Sequence, residues 1–321
     1  MIRTILLALL CCALGPAALG AESYPSKPVR IVSPFPPGGP NDVLSRILGA
    51  YLFESSGRPA IVDNRPGANG IIGNDIVAKS NPDGYTLVVN SGSMTINAHV
   101  YRKLPYDLMR DFRGVSMIAA PAGLVLVTAP DSGIKSFKEL IAQARQKPGQ
   151  LSFGSPGAGS ALELAGELVN ALAGVQITEV QYKGFAPSLV DLMGGRIHGV
   201  FISTVSVLPQ IQAGKLIALG QTGETRETSL PNVPTMIEEG LAGFNIAGWF
   251  GVWVPARTPD AIVRQLSAEI ARVLALPDVR ARYAALGVAP KANTPEEFEA
   301  FVRLDYERIG HYVKLVKMHV D

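Results

Sequence analysis

The chain has 321 residues, with 29 lysines and arginines against 27 aspartates and glutamates, and a hydrophobic fraction of 47%. A charge so near balance argues against nucleic-acid binding. Both cysteines, Cys11 and Cys12, fall in an N-terminal apolar run, so the remainder has no disulfide, thiolate metal site or cysteine nucleophile.

That N-terminus reads as a cleaved signal peptide over residues 1–21. Arg3 supplies the positive region, residues 5–14 are apolar, and Ala17, Ala18, Gly20 and Ala21 offer small residues for cleavage. The apolar run is too short to span a bilayer. A lipoprotein site wants a small residue just before the cysteine, and Leu10 is not small. The expected product is an exported, soluble, periplasmic monomer without a transmembrane span.

Strand and helix patterns then alternate. A strand at residues 29–32 leads into Pro36-Pro37-Gly38-Gly39-Pro40-Asn41-Asp42 and a helix carrying Val43, Leu44, Ile47, Leu48, Tyr51 and Leu52 at helical spacing. A strand at 59–62 precedes Asn64-Arg65-Pro66-Gly67, and the turn Asn81-Pro82-Asp83-Gly84 launches a strand at 85–89 that ends beside Ser91-Gly92-Ser93. An apolar run at 123–128 and another at 249–254 bracket a self-sufficient pattern, with strands near 151–153, 178–182 and 198–201. Its first loop, Ser155-Pro156-Gly157-Ala158-Gly159-Ser160, opens into a helix with Leu162, Ala165, Leu168, Val169 and Leu172. Helices at 261–275 and 295–313 complete the chain. Strand–loop–helix repetition predicts an α/β fold with mostly parallel strands and helices on both faces. Two lobes are expected, residues 22–123 plus 247–321 and residues 124–246, joined by two crossing strands.

The glycine loops are the strongest functional signal. Each presents backbone N–H groups at a helix N-terminus, whose partial positive charge binds anions without a basic side chain. The expected ligand-binding residues are Pro37, Gly38, Gly39, Asn41, Asp42, Ser91, Ser93, Ser155, Gly157, Ala158, Gly159, Ser160, Tyr182, Lys183 and Ser203. Each has an ordinary reading beside this one: Asn41 or Asp42 as a helix cap, Ser91 and Ser93 as a polar turn, Lys183 as a solvated lysine. Four such turns at strand ends favour a ligand cleft. The second loop resembles a dinucleotide fingerprint only weakly, since Gly157-Ala158-Gly159 lacks the third glycine, and the P-loop ending is missing. The four histidines show no metal spacing, and no Gly-x-Ser-x-Gly elbow exists. No cofactor, metal or catalytic residue is expected. Glu163 and Glu167, one turn apart, read as a solvated face, and Trp249 and Phe250 as hinge or core packing.

Several segments in register carry a family resemblance. They include Tyr24-Pro25-Ser26-Lys27-Pro28, the Pro-Gly-Gly loop with Asp42, Asn64-Arg65-Pro66-Gly67-Ala68, Pro82-Asp83-Gly84-Tyr85, Tyr182-Lys183-Gly184 and Leu230-Pro231-Asn232-Val233-Pro234. The chain resembles the Bug (TctC-like) solute receptors of tripartite tricarboxylate transporters, from Tyr24 to about residue 313. The resemblance implies a type II periplasmic binding-protein fold with mixed sheets that closes on a ligand between its lobes. It also implies a small carboxylate ligand and a two-subunit membrane permease as partner. Where relatives often carry Phe-Asp-Asn, this chain reads Phe201-Ile202-Ser203. Ile202 cannot hold an ammonium, which predicts a di- or tricarboxylate or an aromatic acid rather than an amino acid; packing inside the lobe is the competing reading. An exported α/β enzyme and a ligand-presenting sensory receptor are the alternatives.

Overall fold

The computed structural model describes residues 24–320 except 55, 56, 59, 158, 183 and 184. The expected signal peptide, Ala158 and Lys183 lie outside the described residues. In chain order the first elements are β1 (Arg30–Ser33), α1 (Pro40–Tyr51), β2 (Ile61–Asn64), α2 (Ile71–Ala78), β3 (Thr86–Ser91), α3 (Ser93–Val100), α4 (Leu108–Asp111) and β4 (Phe112–Thr128). Next come α5 (Phe137–Gln146), β5 (Ser152–Ser155), α6 (Ala161–Ala173), β6 (Thr178–Gln181), α7 (Phe185–Met193), β7 (Gly199–Ser203), α8 (Thr204–Gln212) and β8 (Ile217–Gln221). The chain closes with β9 (Ala247–Pro255), α9 (Asp260–Ala275), α10 (Pro277–Ala285) and α11 (Pro295–Val316).

The strands run in the order β2-β1-β3-β9-β4-β7-β5-β6, with β8 on the other edge of β4. Strands β1 to β3 are parallel, as are β5 to β7, whereas β9 is antiparallel to β3 and β4, and β4 to β7 and β8. Each lobe therefore has three parallel strands, and the long strands β4 and β9 join them by antiparallel pairing. Strand β4 starts at Phe112, well before the apolar run at 123–128. Its first half, with Arg113, Gly114, Ser116 and Pro121, is a poor strand by composition. Pairing with β9 imposes it, and the register slips between Gly114 and Ser116, Met117 and Ala119, and Ala119 and Ala122. Such bulges bend a strand, and here they fall just before the lobes part.

Successive strand residues point to opposite faces. On one face of the first lobe, Ile31, Leu87 and Val252 pack under Leu44 and Leu48 of α1 and Val263 and Ile270 of α9. On the other, Val32, Val88, Trp249 and Trp253 pack against Phe298 and Val302 of α11. Gly251 lies directly beneath Phe298, where a Cβ would come within 2.1 Å of the ring; only glycine lets that ring seat.

Helix α11 begins at a reciprocal cap, Thr294 Oγ1 accepting from Glu297 N and Glu297 accepting from Thr294 N, with Pro295 in the first helical position. Sequence assigns this helix to the first lobe alone, but its second half reaches further. Ile309, Tyr312 and Val313, with Ile96 and Val100 of α3, enter the core formed by Leu126, Phe153, Leu164 and Phe201 of the second lobe. One helix thus takes part in both cores.

Candidate functional site

Strands β1, β3, β5, β6 and β7 end at Ser33, Ser91, Ser155, Gln181 and Ser203. Each end leads into a helix, through a loop for all but β7, so the expected site residues gather at the strand ends of both lobes.

The first glycine loop differs from expectation in how its helix is capped. The cap is Gly39, without a side-chain bond, and Pro40 takes the first helical position. Proline pre-sets the helical φ, so the helix starts before Asn41 and Asp42 can cap it. Asp42 turns back instead. Its carboxylate accepts from Gly38 N at 2.9 Å, Arg46 Nε at 3.0 Å and Asn64 Nδ2 at 2.8 Å. Burial alone would raise its pKa, but the hydrogen bonds from Arg46, Gly38 and Asn64, with the Arg46 charge, hold it below the ordinary carboxylate value. Asp42 is thereby spent on shaping the loop. Asn41 also points inward, its amide donating to Val89 O at 3.3 Å. Among the described residues, no backbone hydrogen bond engages the N–H of Asn41 or Asp42. Pro37 and Gly38 form the exposed rim, and Gly38 (φ +83°) has open space where a Cβ would stand.

Ser91 and Ser93 are held by a residue that sequence reasoning overlooked. Asn90 Oδ1 accepts from Ser91 N at 2.7 Å and from Ser93 Oγ at 3.0 Å, while Ser91 Oγ donates to Ser93 Oγ at 3.2 Å. Behind it, Asn90 donates to Asn74 Oδ1 at 2.7 Å, and Asn74 to the Tyr106 hydroxyl at 2.9 Å. Asn90 and Asn74 are fully buried. A fully satisfied polar network of this kind fixes geometry. The visible signal was an asparagine closing an apolar strand.

The second glycine loop shows the same device as the first. Ser160 Oγ caps α6 by accepting from Glu163 N at 3.2 Å, and Glu163 Oε2 accepts from Gly159 N at 2.6 Å. Gln181 Nε2 donates to the other carboxylate oxygen at 3.1 Å. The Gly159 N–H is therefore engaged within the chain rather than free for an anion, while the Ser160 oxygen accepts the cap bond. Glu163 and Glu167 do not form a solvated face either: both are partly buried, and burial raises both carboxyls. Glu179 beneath α6 is pushed up to about 8, chiefly by burial; the Ser155 hydroxyl opposes the shift, and Glu163 and Glu167 add to it. Ser155 is fully buried, and Gly157 sits at φ +136°. Each loop is thus bridged by its own acid four residues on, which takes up Gly38 N and Gly159 N rather than the N–H groups of the first helical turn. The two bridges are electrically unlike. Asp42 is paired with Arg46, whereas no ion pair reaches Glu163 among the described residues.

Two further expectations change. The Tyr182 hydroxyl donates to Asp191 Oδ2 at 2.8 Å rather than standing free for a ligand. Ile202 is 3% exposed and packs with Val125, Val200 and Val207, so the ligand preference drawn from it loses its basis. Ser203 is exposed and lines a cavity of about 700 Å³ beside Gly123, Thr204, Ala247, Arg226 and Glu227. Trp249 is core, its indole donating to Asp305 at 3.2 Å.

The lobes also touch through Asn69, which sequence reasoning did not single out. Asn69 Nδ2 donates to Gly159 O at 3.2 Å and to Asn97 Oδ1 at 2.8 Å, and Asn97 Nδ2 returns a bond to Asn69 O at 2.9 Å. Its backbone is left-handed (φ 50°, ψ 37°), a conformation that asparagine tolerates best after glycine. An asparagine between Ala68 and Gly70 was the available clue.

Residues 44–318 match the family described as tripartite tricarboxylate transporter family receptor, TctC. The chain is 37% identical over 300 residues to protein BugT of Bordetella pertussis, covering 93% of this chain and 92% of that one. Among solved structures, R. palustris Rpa4515 with adipate superposes with a TM-score of 0.81 at 33% identity, covering 92% and 99% of the two chains. MatC (Rpa3494) from Rhodopseudomonas palustris with bound malate gives a TM-score of 0.76 at 30% identity, covering 91% and 100%. The mixed sheet, the two lobes and the strand-end loops are those of a type II periplasmic binding protein, and the chain belongs to the tripartite tricarboxylate transporter receptor family.

Proposed function

We propose that this protein is an extracytoplasmic receptor that holds a small carboxylate between its lobes and hands it to a two-subunit membrane permease. It carries the ligand without transforming it. The signal peptide would deliver it to the periplasm, and the lobes part near residues 123 and 247.

The observation that carries this reading is the α1 terminus, where no backbone hydrogen bond engages the Asn41 and Asp42 N–H groups among the described residues, beside the Ser91–Ser93 pair oriented by buried Asn90. The Asn41 and Asp42 N–H groups are donors suited to carboxylate oxygens, the Ser91 and Ser93 hydroxyls become so when they turn from Ser93 and Asn90 to a ligand, and the helix terminus favours negative charge. Ser203 offers a hydroxyl from the other lobe. Three charge-assisted hydrogen bonds at about 1.5–3 kcal/mol each support micromolar affinity before ordering costs. Solved relatives with adipate and malate support the same ligand class.

The test is a thermal-shift screen of the mature protein against aliphatic diacids, citrate, hydroxy acids, aromatic acids and amino acids. A ligand at 100 times its Kd adds about 2.7 kcal/mol of stability. A shift from one carboxylate series, weakened about tenfold or more in the Ser91→Ala/Ser93→Ala protein, is expected. No shift with any carboxylate, or turnover of the bound one, would count against the reading.

A further inference from the structure

We infer that Tyr106 is a positioning residue for the ligand: its hydroxyl ties the serine pair of the cleft and the Asn69 contact between the lobes into one buried framework. This rests on the cleft reading above and deepens it.

Tyr106 stands in Leu104-Pro105-Tyr106-Asp107, where the chain turns into α4. Asp107 caps that helix, its Oδ1 accepting from Met109 N and Arg110 N at 2.9 Å each, and the Tyr106 ring meets Phe112 edge-on at 5.3 Å. Backbone and ring are thus fixed, and the buried side chain holds its hydroxyl at one point. That hydroxyl accepts from the Asn74 amide at 2.9 Å and hydrogen-bonds the Asn97 side chain. On one side, Asn74 Oδ1 accepts from Asn90, whose own Oδ1 accepts from Ser91 N and Ser93 Oγ. On the other, Asn97 and Asn69 bond each other reciprocally, and Asn69 reaches Gly159 O in the second lobe. Asn97 lies one helical turn after Ser93 on α3, so the framework closes into a ring through that helix. Its members are uncharged amides and hydroxyls, and Asn74, Asn90 and Asn97 are fully buried. A network of this kind is rigid while every member is satisfied. It also survives occupancy, because Ser91 N still donates to Asn90 when the hydroxyls turn to a ligand. Without the Tyr106 hydroxyl, Asn74 loses its acceptor, and ordering the first turn of α3 then subtracts from the free energy of binding.

The experiment measures calorimetric Kd values of the mature protein for adipate, malate, citrate and benzoate. Tyr106→Phe keeps the ring packing and removes only the hydroxyl, and it should weaken the tightest of these probes by about threefold to tenfold. Tyr283→Phe is the control. Its hydroxyl is buried without a hydrogen-bond partner among the described residues, in the core on the other face of the sheet, and its loss should leave Kd unchanged. Asn74→Ala breaks the same ring one link away, so Tyr106→Phe should weaken binding little further in that background. Urea unfolding accompanies each variant. A Tyr106→Phe protein that loses stability but keeps the wild-type Kd would assign the hydroxyl to folding alone and overturn the inference, while the cleft reading stands. Full additivity with Asn74→Ala, or an equal loss of affinity in Tyr283→Phe, would overturn it too. Binding of no probe by the wild type would overturn the cleft reading and this inference with it.

Discussion

Asn69 offers the most direct access to lobe closure, because it reaches from one lobe to the other at Gly159 O, 3.2 Å away. Asn69→Gly removes the amide while keeping the left-handed backbone at no steric cost; Asn69→Ala removes the amide but leaves a Cβ on that backbone. The bond to Gly159 exists only when the lobes meet. A neutral hydrogen bond contributes about 0.5–1.5 kcal/mol net, so its loss should lower the closed population, and with it ligand affinity, by about 2- to 13-fold in both variants. The second amide bond, to Asn97 Oδ1 at 2.8 Å, lies within the first lobe and affects folding instead. Alanine carries a further left-handed cost of about 1–2 kcal/mol, present whether the lobes are open or closed. The two variants should therefore share one affinity but differ in urea stability, alanine being the weaker. Calorimetry with the tightest ligand of the screen, beside urea unfolding, separates these quantities. Asn69→Gly binding as tightly as wild type would show that the contact contributes nothing to closure.

Two carboxyls make opposite predictions about pH. Asp42 is held below its unfolded value, so its contribution is present above about pH 4 and fades as pH falls through the folded value. Asp42→Asn should cost about 1.5–3 kcal/mol at pH 7 and progressively less in acid; an equal loss at pH 3 and pH 7 would refute the loop-clamp role. Glu179, raised to about 8, keeps a proton that the unfolded chain has already lost. Its neutral state costs nothing below about pH 4 and increasingly disfavours folding from there to about pH 8. Glu179→Gln should flatten the decline in stability over that window, and unfolding curves at pH 5 and pH 8 that differ as much in the variant as in wild type would exclude it.

Much of the frame was legible because apolar alternation and glycine turns are local signals. Strands β1, β3, β5 and β7 and helices α1, α6, α9 and α11 all announce themselves this way. The first half of β4 did not, since Arg113, Gly114, Ser116 and Pro121 become a strand only through pairing with β9. Strand β8 is a short edge and equally silent. At the site, sequence found the loops but misjudged their chemistry. Gly38 and Asp42, like Gly159 and Glu163, stand four residues apart, and that shared spacing was the trace of acids folding back on their own loops. Ile202, on β7, was misread for another reason. A sheet covered on both faces buries alternate side chains equally, so parity along β7 does not say which residue meets a cleft. Asn90 and Asn69 matter through partners distant in sequence, which no local pattern reveals.

The shared helix has a consequence for modularity. Because Ile309, Tyr312 and Val313 complete the second lobe's core from the far end of the chain, residues 124–246 cut out as a fragment would leave Leu164, Phe153 and their neighbours facing water. That lobe is a spatial unit without being a separable one. Exchange of lobes between relatives would have to carry the C-terminal helix along, matched on both of its halves. Helix α11 must likewise be made before the core of either lobe is complete.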